Sequence, residues 1–345
     1  MQHMIYIEQK NKNSTIETNL LSFSFEKEKI KSIKLNDLWD FKEILCGLDS
    51  IVAQPQYFNK DMIQIIQEKN IECLYLEDRL IGGFFEKDLD KYKTLIDLSF
   101  LEEILHLKCF KLDAYTSFFS EKPVSKIEDY TPIEKLKKLE YIYISNNGDY
   151  PILVDINFKK LKKLKEVNLQ YPKKNKTIYQ CKNIESINTR YYESKLLLAL
   201  NWKRLKKFSA YFDKLKNFDG IEKFEYLEEF KGEYTSSLQT LNGLSSKSIK
   251  VFYYYTEARK TLMTLQGVSG LKNVEILAFS GLKKLETIAD LIQCQNLKEL
   301  RIENSNIPDD IEKITQIKSL EKLVVDYGQD VAEKYPKIKH LIFHD

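Results

Sequence analysis

The chain is poor in the residues that break or specialise a backbone. It has 345 residues, with 11 glycines, 7 prolines and 2 tryptophans. That is too little Gly and Pro for a collagen-like or low-complexity chain. Histidine is scarcer still: His3, His106, His340 and His344 are the full set. None stands in a nucleophile, phosphate-loop or HExxH context, so no catalytic residue is assigned and no enzyme is expected. The five cysteines (Cys46, Cys73, Cys109, Cys181, Cys294) are widely spread and form no CxxC pair. The expectation is free thiols in a reducing cytoplasm, with no metal site and no cofactor. Charge of one sign is also lacking. Lys and Arg number 54 against 51 Asp and Glu, a net charge of +3, which argues against nucleic acid as partner. No apolar run reaches the roughly 18 residues of a membrane span. The opening MQHMIYIEQKNKNSTIE lacks the basic-then-apolar order of a secretory signal, so Asn-x-Ser/Thr sequons at Asn13 and Asn175 read as chance.

What is present is a repeat. Residues 133–144 run Ile133-EK-Leu136-KK-Leu139-EY-Ile142-Y-Ile144, with apolar residues at every third and then every second position. The same switch recurs in Phe158-KK-Leu161-KK-Leu164-KE-Val167-N-Leu169, in Leu291-IQ-Cys294-QN-Leu297-KE-Leu300-R-Ile302 and in Ile314-TQ-Ile317-KS-Leu320-EK-Leu323-V-Val325. The third apolar residue of each segment serves as an anchor. Anchors fall at Ile71, Leu107, Leu139, Leu164, Ile184, Leu205, Leu227, Ile249, Val274, Leu297, Leu320 and Ile338, with steps of 20 to 25 residues from Leu139 to Leu320. Twelve repeats with three such positions each give 36, and only Thr189 and Gly232 are neither aliphatic nor aromatic. At 43% hydrophobic residues overall, chance would fill about 15.

These segments resemble the leucine-rich-repeat family over roughly residues 61–345. The stretch Asn304-Ser-Asn-Ile-Pro-Asp-Asp-Ile311 is similar to its bacterial, internalin-like members. The resemblance implies an α/β solenoid, a horseshoe or arc with a parallel sheet on its concave face and short helical or 3-10 turns on its convex face. It also implies protein ligands. The residue types agree, because one repeat cannot bury its own apolar stripe and stacking buries it between neighbours. The family places Asn or Cys after each strand; here Asn147 occupies that place, Asn304 and Asn306 flank it, and other turns carry Pro172, Tyr192, Asp213, Thr235 or Glu257.

The ends depart from the pattern. Residues 1–60 read as a capping region, with short strands near 4–8 and 18–26 and degenerate repeats at Ile30-KS-Ile33-K-Leu35 and Leu48-DS-Ile51-V-Ala53. Segments 77–100 and 113–132 exceed what a repeat needs and read as inserts. The C-terminal Ile338-KH-Leu341-I-Phe343 reads as a last strand whose uncovered edge offers a route to homo-oligomers. His340 and His344 would stand about 13 Å apart along it, too far for one metal.

Alternation within strands sends the residues two, four and six after each anchor to the concave face. The candidate partner-binding set is Tyr141, Tyr143, Arg190, Lys207, Tyr211, Glu229, Lys231, Glu233, Val251, Tyr253, Tyr255, Ile276, Glu299 and Arg301. Tyr253 and Tyr255 beside Val251, Ile276 and Ala278 form an aromatic and apolar centre, and mixed charge surrounds it, the usual composition of an interface hot spot. Lateral tyrosine packing in the sheet is the competing reading. Cys73 and Cys109 also fall on this face, with their separation open, while Cys181 and Cys294 take core positions. Lysines recurring between apolar positions, such as Lys137, Lys159, Lys162 and Lys206, read as solvated outer turns. The function these features support is a non-catalytic protein-binding module in the bacterial cytoplasm. An immunity or inhibitor protein that occludes a toxin or enzyme is the concrete form. A recruitment or regulatory subunit of an enzyme and a self-assembling structural protein are the alternatives.

Overall fold

A computed structural model describes residues 3–6, 21–24, 50–53, 60–77, 94–95, 97–114, 125–127, 129–146, 155–169, 176–192, 202–212, 215, 217–233, 238, 240–256, 262–326 and 328–343. Asn13, Asn175, Asn147, Cys46, His344 and the Ile30–Leu35 segment lie outside them. The chain forms two compact units, Met1–Cys181 and Lys182–Asp345.

The first unit contains β1 (His3–Tyr6), β2 (Leu21–Ser24), β3 (Ser50–Ala53), α1 (Lys60–Glu68), β4 (Cys73–Glu77), β5 (Thr94–Leu95), β6 (Cys109–Ala114), β7 (Ser125–Lys126), β8 (Tyr141–Asn146) and β9 (Glu166–Leu169). Its sheet runs β2-β1-β3-β4-β6-β8-β9, antiparallel only between β1 and β2. Strands β5 and β7, one from each insert, pair with each other in a separate parallel ribbon. The second unit contains β10 (Ser186–Tyr192), β11 (Lys207–Phe212), β12 (Glu229–Glu233), β13 (Val251–Tyr255), β14 (Ile276–Ser280), β15 (Glu299–Glu303), β16 (Lys322–Val325) and α2 (Gly328–Lys334). Its strands lie in chain order and are parallel throughout.

Eleven strands, β4, β6 and β8–β16, begin two residues after an anchor, as the repeat predicts. The every-third spacing becomes 3-10 helix, for example Thr131–Lys135, Phe158–Lys160, Ala289–Gln293 and Ile311–Gln316. Residues placed two before the first bonded amide help to start these turns. Asp129 accepts from the Thr131 amide at 2.8 Å, Asn157 from Lys159 at 3.3 Å and Thr287 from Ala289 at 3.1 Å. Glu134 is buried, and it locks one turn to the next by accepting from the Asn157 amide at 2.7 Å and from Lys160 at 2.5 Å. Burial raises its pKa, but those bonds and the nearby lysines outweigh it and hold the carboxyl below the ordinary range.

In the second unit the core is a spine of rings. Phe208, Phe230 and Phe252 are register partners on β11, β12 and β13, and Leu277, Leu300 and Leu323 extend the row. Phe230 stacks on Phe212 at 5.6 Å and on Phe252 at 5.5 Å, and meets Phe208 and Phe218 edge-on at 5.7 and 5.5 Å. This spine accounts for one of the two exceptions to the apolar pattern. A methyl group on Gly232 would lie 3.3 Å from the Phe230 ring and 3.7 Å from Phe212, so the rings already fill the space a side chain would take.

A second regularity runs along the edge where the strands begin. The residue after each anchor alternates without exception: Glu72, Lys108, Glu140, Lys165, Glu185, Lys206, Glu228, Lys250, Glu275, Lys298, Glu321, Lys339. Successive members pair within each unit: Lys108–Glu72 at 2.6 Å and Lys165–Glu140 at 2.6 Å in the first, Lys206–Glu185 at 2.8 Å, Lys250–Glu228 at 3.7 Å and Lys298–Glu275 at 2.6 Å in the second. The same positions carry a forked backbone bond. The Lys250 and Val251 amides both donate to the Glu228 carbonyl, at 2.9 and 3.1 Å. The lysines of this ladder are therefore not merely solvated. The hydrogen bond from Lys298, then its charge, holds the Glu275 carboxyl below its usual range, and Glu275 in turn raises Lys298. A carboxylate with a lowered folded-state pKa contributes stability above its unfolded value and loses it as pH falls through the lowered one. Lys298→Met is therefore expected to destabilise the chain at neutral pH and not in acid, where Glu275 is protonated. Thermal melts of both proteins across the acid range check this; a difference undiminished at low pH would assign the effect to the lysine stem.

Three expectations are corrected. Residues 338–343 are not a strand. The stretch Pro336–Leu341 is a 3-10 turn behind α2, and only Ile342 bridges to Leu323. Ile338 and Leu341 are three apart, so the turn buries both, and Pro336 starts it. His340 lies on that turn and is exposed. Cys73 and Cys109 are register partners on β4 and β6 and are fully buried with Tyr75 and Lys111, so the sheet is covered on both faces there. Finally, the register of β10 against β11 shifts between Thr189 and Tyr192, so Arg190 falls at a bulge and not squarely beside Tyr211. The core positions expected for Cys181 and Cys294 are observed: both are buried, and burial pushes their thiols up to about 11.

Candidate functional site

The open face of the second unit is built by alternation alone. Along β12, β13 and β15 every second residue is buried and its neighbours are half-buried or exposed. Parallel in-register pairing aligns those neighbours into rows. The first is Lys207, Glu229, Val251, Ile276, Glu299, Lys322, and the second is Ser209, Lys231, Tyr253, Ala278, Arg301, Val324. In the third, Tyr211 partners Glu233, and Tyr255 partners Ser280, which partners Glu303. The apolar centre is assembled as expected: Tyr253, Tyr255, Val251 and Ile276 are half-buried on β13 and β14, and Ala278 between them is 8% exposed.

Charges flank this centre in pairs. On one side Lys207 lies 3.8 Å from Glu229, and Lys231 lies 3.2 Å from Glu233. On the other Arg301 lies 2.5 Å from Glu299 and 4.0 Å from Glu303, while Lys322 reaches Glu299 at 3.8 Å. Burial disfavours the Arg301 charge, but Glu299, Glu303 and Tyr253 more than restore it. The acids and bases therefore hold one another in fixed positions around the tyrosines, leaving each partly exposed.

Tyr141 and Tyr143 lie on β8 in the first unit, half-buried, with Lys111 5.8 Å above the Tyr143 ring. Arg190 lies in β10 with its side chain outside the described residues. The set absent from the sequence-based expectation lies on the flank of the second unit. Tyr226, Lys247, Lys250, Asn273, Glu275 and Lys298 line an open groove of about 510 Å³. Asn273 and Asn296 there donate to the carbonyls of Lys247 and Lys272, at 2.8 and 3.1 Å. The alternation of Glu and Lys after each anchor was the available signal for it. Among the described residues no three of His, Cys, Asp and Glu gather as metal ligands, and no helix is long and apolar enough to cross a membrane.

No family model and no curated relative matches the chain. Solved structures do. An internalin (inlF) from Listeria monocytogenes is 16% identical, with 75% of this chain and 75% of that chain covered and a TM-score of 0.53. A leucine-rich-repeat protein from Leptospira interrogans is also 16% identical, covering 86% of this chain and 89% of that one, with a TM-score of 0.44. Parallel strands set two residues past eleven of the twelve anchors, 3-10 turns between them and the likeness to the Listeria internalin together identify the fold as the leucine-rich-repeat solenoid, with internalin-like repeats.

Proposed function

We propose that the chain is a protein-binding module whose contact surface is the open face of β11–β15. The observation that carries this reading is the Tyr253–Tyr255 pair. Two tyrosines stand half-buried beside Val251 and Ile276, with paired charges on either side of them. Large aromatic anchors ringed by fixed polar groups concentrate binding energy in protein interfaces. The face rests on a packed spine of rings, so it meets a partner with little reorganisation. Such rigidity suits occlusion of a folded partner, in the way an inhibitor or immunity protein would cover a toxin or enzyme, without catalysis by the chain itself. The buried thiols of Cys73, Cys181 and Cys294, none of them in a disulfide, are compatible with a reducing cytoplasm as its place of action.

Tyr253→Ala with Tyr255→Ala is the test. Capture from lysate by the intact protein and by the double variant, read by mass spectrometry, is expected to show a specific protein lost only with the variant. Its affinity for the purified partner is expected to fall about 30-fold, about 2 kcal/mol. Circular dichroism confirms that the variant folds. Undiminished capture of the same partner would make the tyrosines lateral packing and sink the assignment of this face.

A further inference from the structure

The charges of the open face are arranged evenly about the line between β13 and β14. The first row, read across the strands, is Lys207, Glu229, Val251, Ile276, Glu299, Lys322: cation, anion, two aliphatic residues, anion, cation. The second puts Lys231 and Arg301 on the two sides of Tyr253 and Ala278. The third puts Glu233 and Glu303 on the two sides of Tyr255 and Ser280, with Glu233 level with Tyr255 because Gly232 pairs with Tyr254. The correspondence holds in all three rows over β12–β15 and reaches β11 and β16 in the first row only. We propose that β13 and β14 are the floor, and β12 and β15 the walls, of a seat for one amphipathic α-helix of a protein partner. The helix lies along the strands with an apolar stripe facing the floor and charges in the order positive, negative, positive along both of its flanks. The assignment rests on the reading of the face as a protein-binding surface and names the element of the partner that meets it.

The dimensions select a helix. Strands β12 and β15 are three strand spacings apart, about 14 Å, and a helix with its side chains is about 10–12 Å across. An extended strand, about 5 Å wide, would cover one of the two central strands and leave the other bare. Successive rows lie two residues apart along a strand, about 6.6 Å. Residues four apart on a helix rise by about 6 Å, so three rows match positions i, i+4 and i+8 with an error of about 1 Å over the whole length. Each wall reads acid, base, acid from strand start to strand end: Glu229, Lys231, Glu233 on one and Glu299, Arg301, Glu303 on the other. Their ion pairs run along each wall or outward to Lys207 and Lys322, and none among the described residues joins one wall to the other. The floor between them is uncharged, with Val251, Ile276, Tyr253 and Tyr255 half-buried. Wall charges that are already paired add little net affinity for a matching helix. They reject a helix of the opposite order, because like charges would then meet at every row.

The probes are blocked, leucine-striped peptides of about 20 residues, long enough to be helical alone. They are titrated into the full chain with carbon-13-labelled tyrosine rings, and Tyr253→Phe assigns the Tyr253 signal. The peptide with Lys, Glu and Lys at four-residue intervals on both flanks is expected to shift Tyr253 saturably. It should bind about 10-fold or more tighter than the peptide with Glu, Lys and Glu at those places. The chain as a whole carries a charge of +3, so unspecific attraction would favour the second peptide, which is the more acidic. A proline at the centre of the first peptide breaks its helix and should weaken binding by a similar factor. Equal affinities, the reverse preference, undiminished binding of the proline peptide, or saturable shifts that leave Tyr253 unmoved would each overturn the proposal. If any of these came with a partner whose capture still needs Tyr253 and Tyr255, the binding face would stand and the helix seat alone would fall. Undiminished capture by the double tyrosine variant would remove the face as the partner's site, and this seat with it.

Discussion

Phe230→Ala is expected to lower the stability of the 182–345 unit by about 3–5 kcal/mol, the cost of truncating a fully buried phenylalanine. Phe230 touches four other rings, two stacked and two edge-on. Removing it leaves those rings facing a void; Phe208 and Phe212 on β11, Phe252 on β13 and Phe218, whose amide donates to the Asn242 carbonyl at 2.9 Å, are held in place by backbone bonds, so they cannot close over it. Each repeat contacts only its neighbours, so the loss should centre on β11–β13. Trp202, buried 6.2 Å from Phe208, reports on this region when Trp39 is replaced by phenylalanine. Denaturant unfolding followed by its fluorescence gives the difference, and hydrogen exchange locates it. A change below about 1 kcal/mol would mean that the spine repacks and is not what fixes the face above it.

The second large effect is expected at Gly281, where β14 ends. Its φ is +85°, and a β-carbon there would stand 1.7 Å from the Thr256 carbonyl oxygen. The close approach is part of the stacking: the Thr256 amide donates to Ser280 at 3.0 Å, and the Gly281 amide to Glu303 at 3.1 Å. Gly281→Ala should cost on the order of 3 kcal/mol, of which left-handed backbone accounts for about 1–2 and displacement of the carbonyl for the rest. Asparagine tolerates that backbone but has the same β-carbon, so Gly281→Asn should be nearly as damaging. Thermal melts of both variants separate the two contributions. Recovery by asparagine would show that torsion alone matters. Because β14 carries Ile276 and lies beside Tyr253, both variants should also weaken partner capture.

Much of this architecture could be read from residue order. The switch from every-third to every-second spacing placed the start of eleven strands correctly, and with it the rows that bring Tyr253, Ala278 and Arg301 into line. Alternation says which way a side chain points, and so it separated Phe230 from Lys231 without ambiguity. It does not say what lies above the face it points to, which is why Cys73 and Cys109, placed by it on the concave face, are fully buried there beside Lys111. The C-terminal segment failed for another reason. Ile338 and Leu341 satisfy the repeat template and the 3-10 template equally well, and the pattern contains no term for Pro336 or for how few residues of β16 are left to pair. The bulge that displaces Arg190 leaves no trace in hydrophobicity, since Arg190, Tyr191 and Tyr192 fit either register. The paired charges around the tyrosines needed the registers first, because residues more than 20 apart in sequence, such as Lys207 and Glu229, become neighbours only once the strands are aligned.

The Glu and Lys ladder has a consequence for how such a chain can change its length. With opposite charge on every adjacent pair of repeats, neighbouring repeats are not equivalent, and the interchangeable module is two repeats long. Excising one would set like charge beside like and leave a partner over, while excising two would restore the alternation across the seam. The solenoid therefore has a parity. Growth, loss and recombination are neutral for this edge in even steps and unfavourable in odd ones, whatever the sequence on its open face is doing.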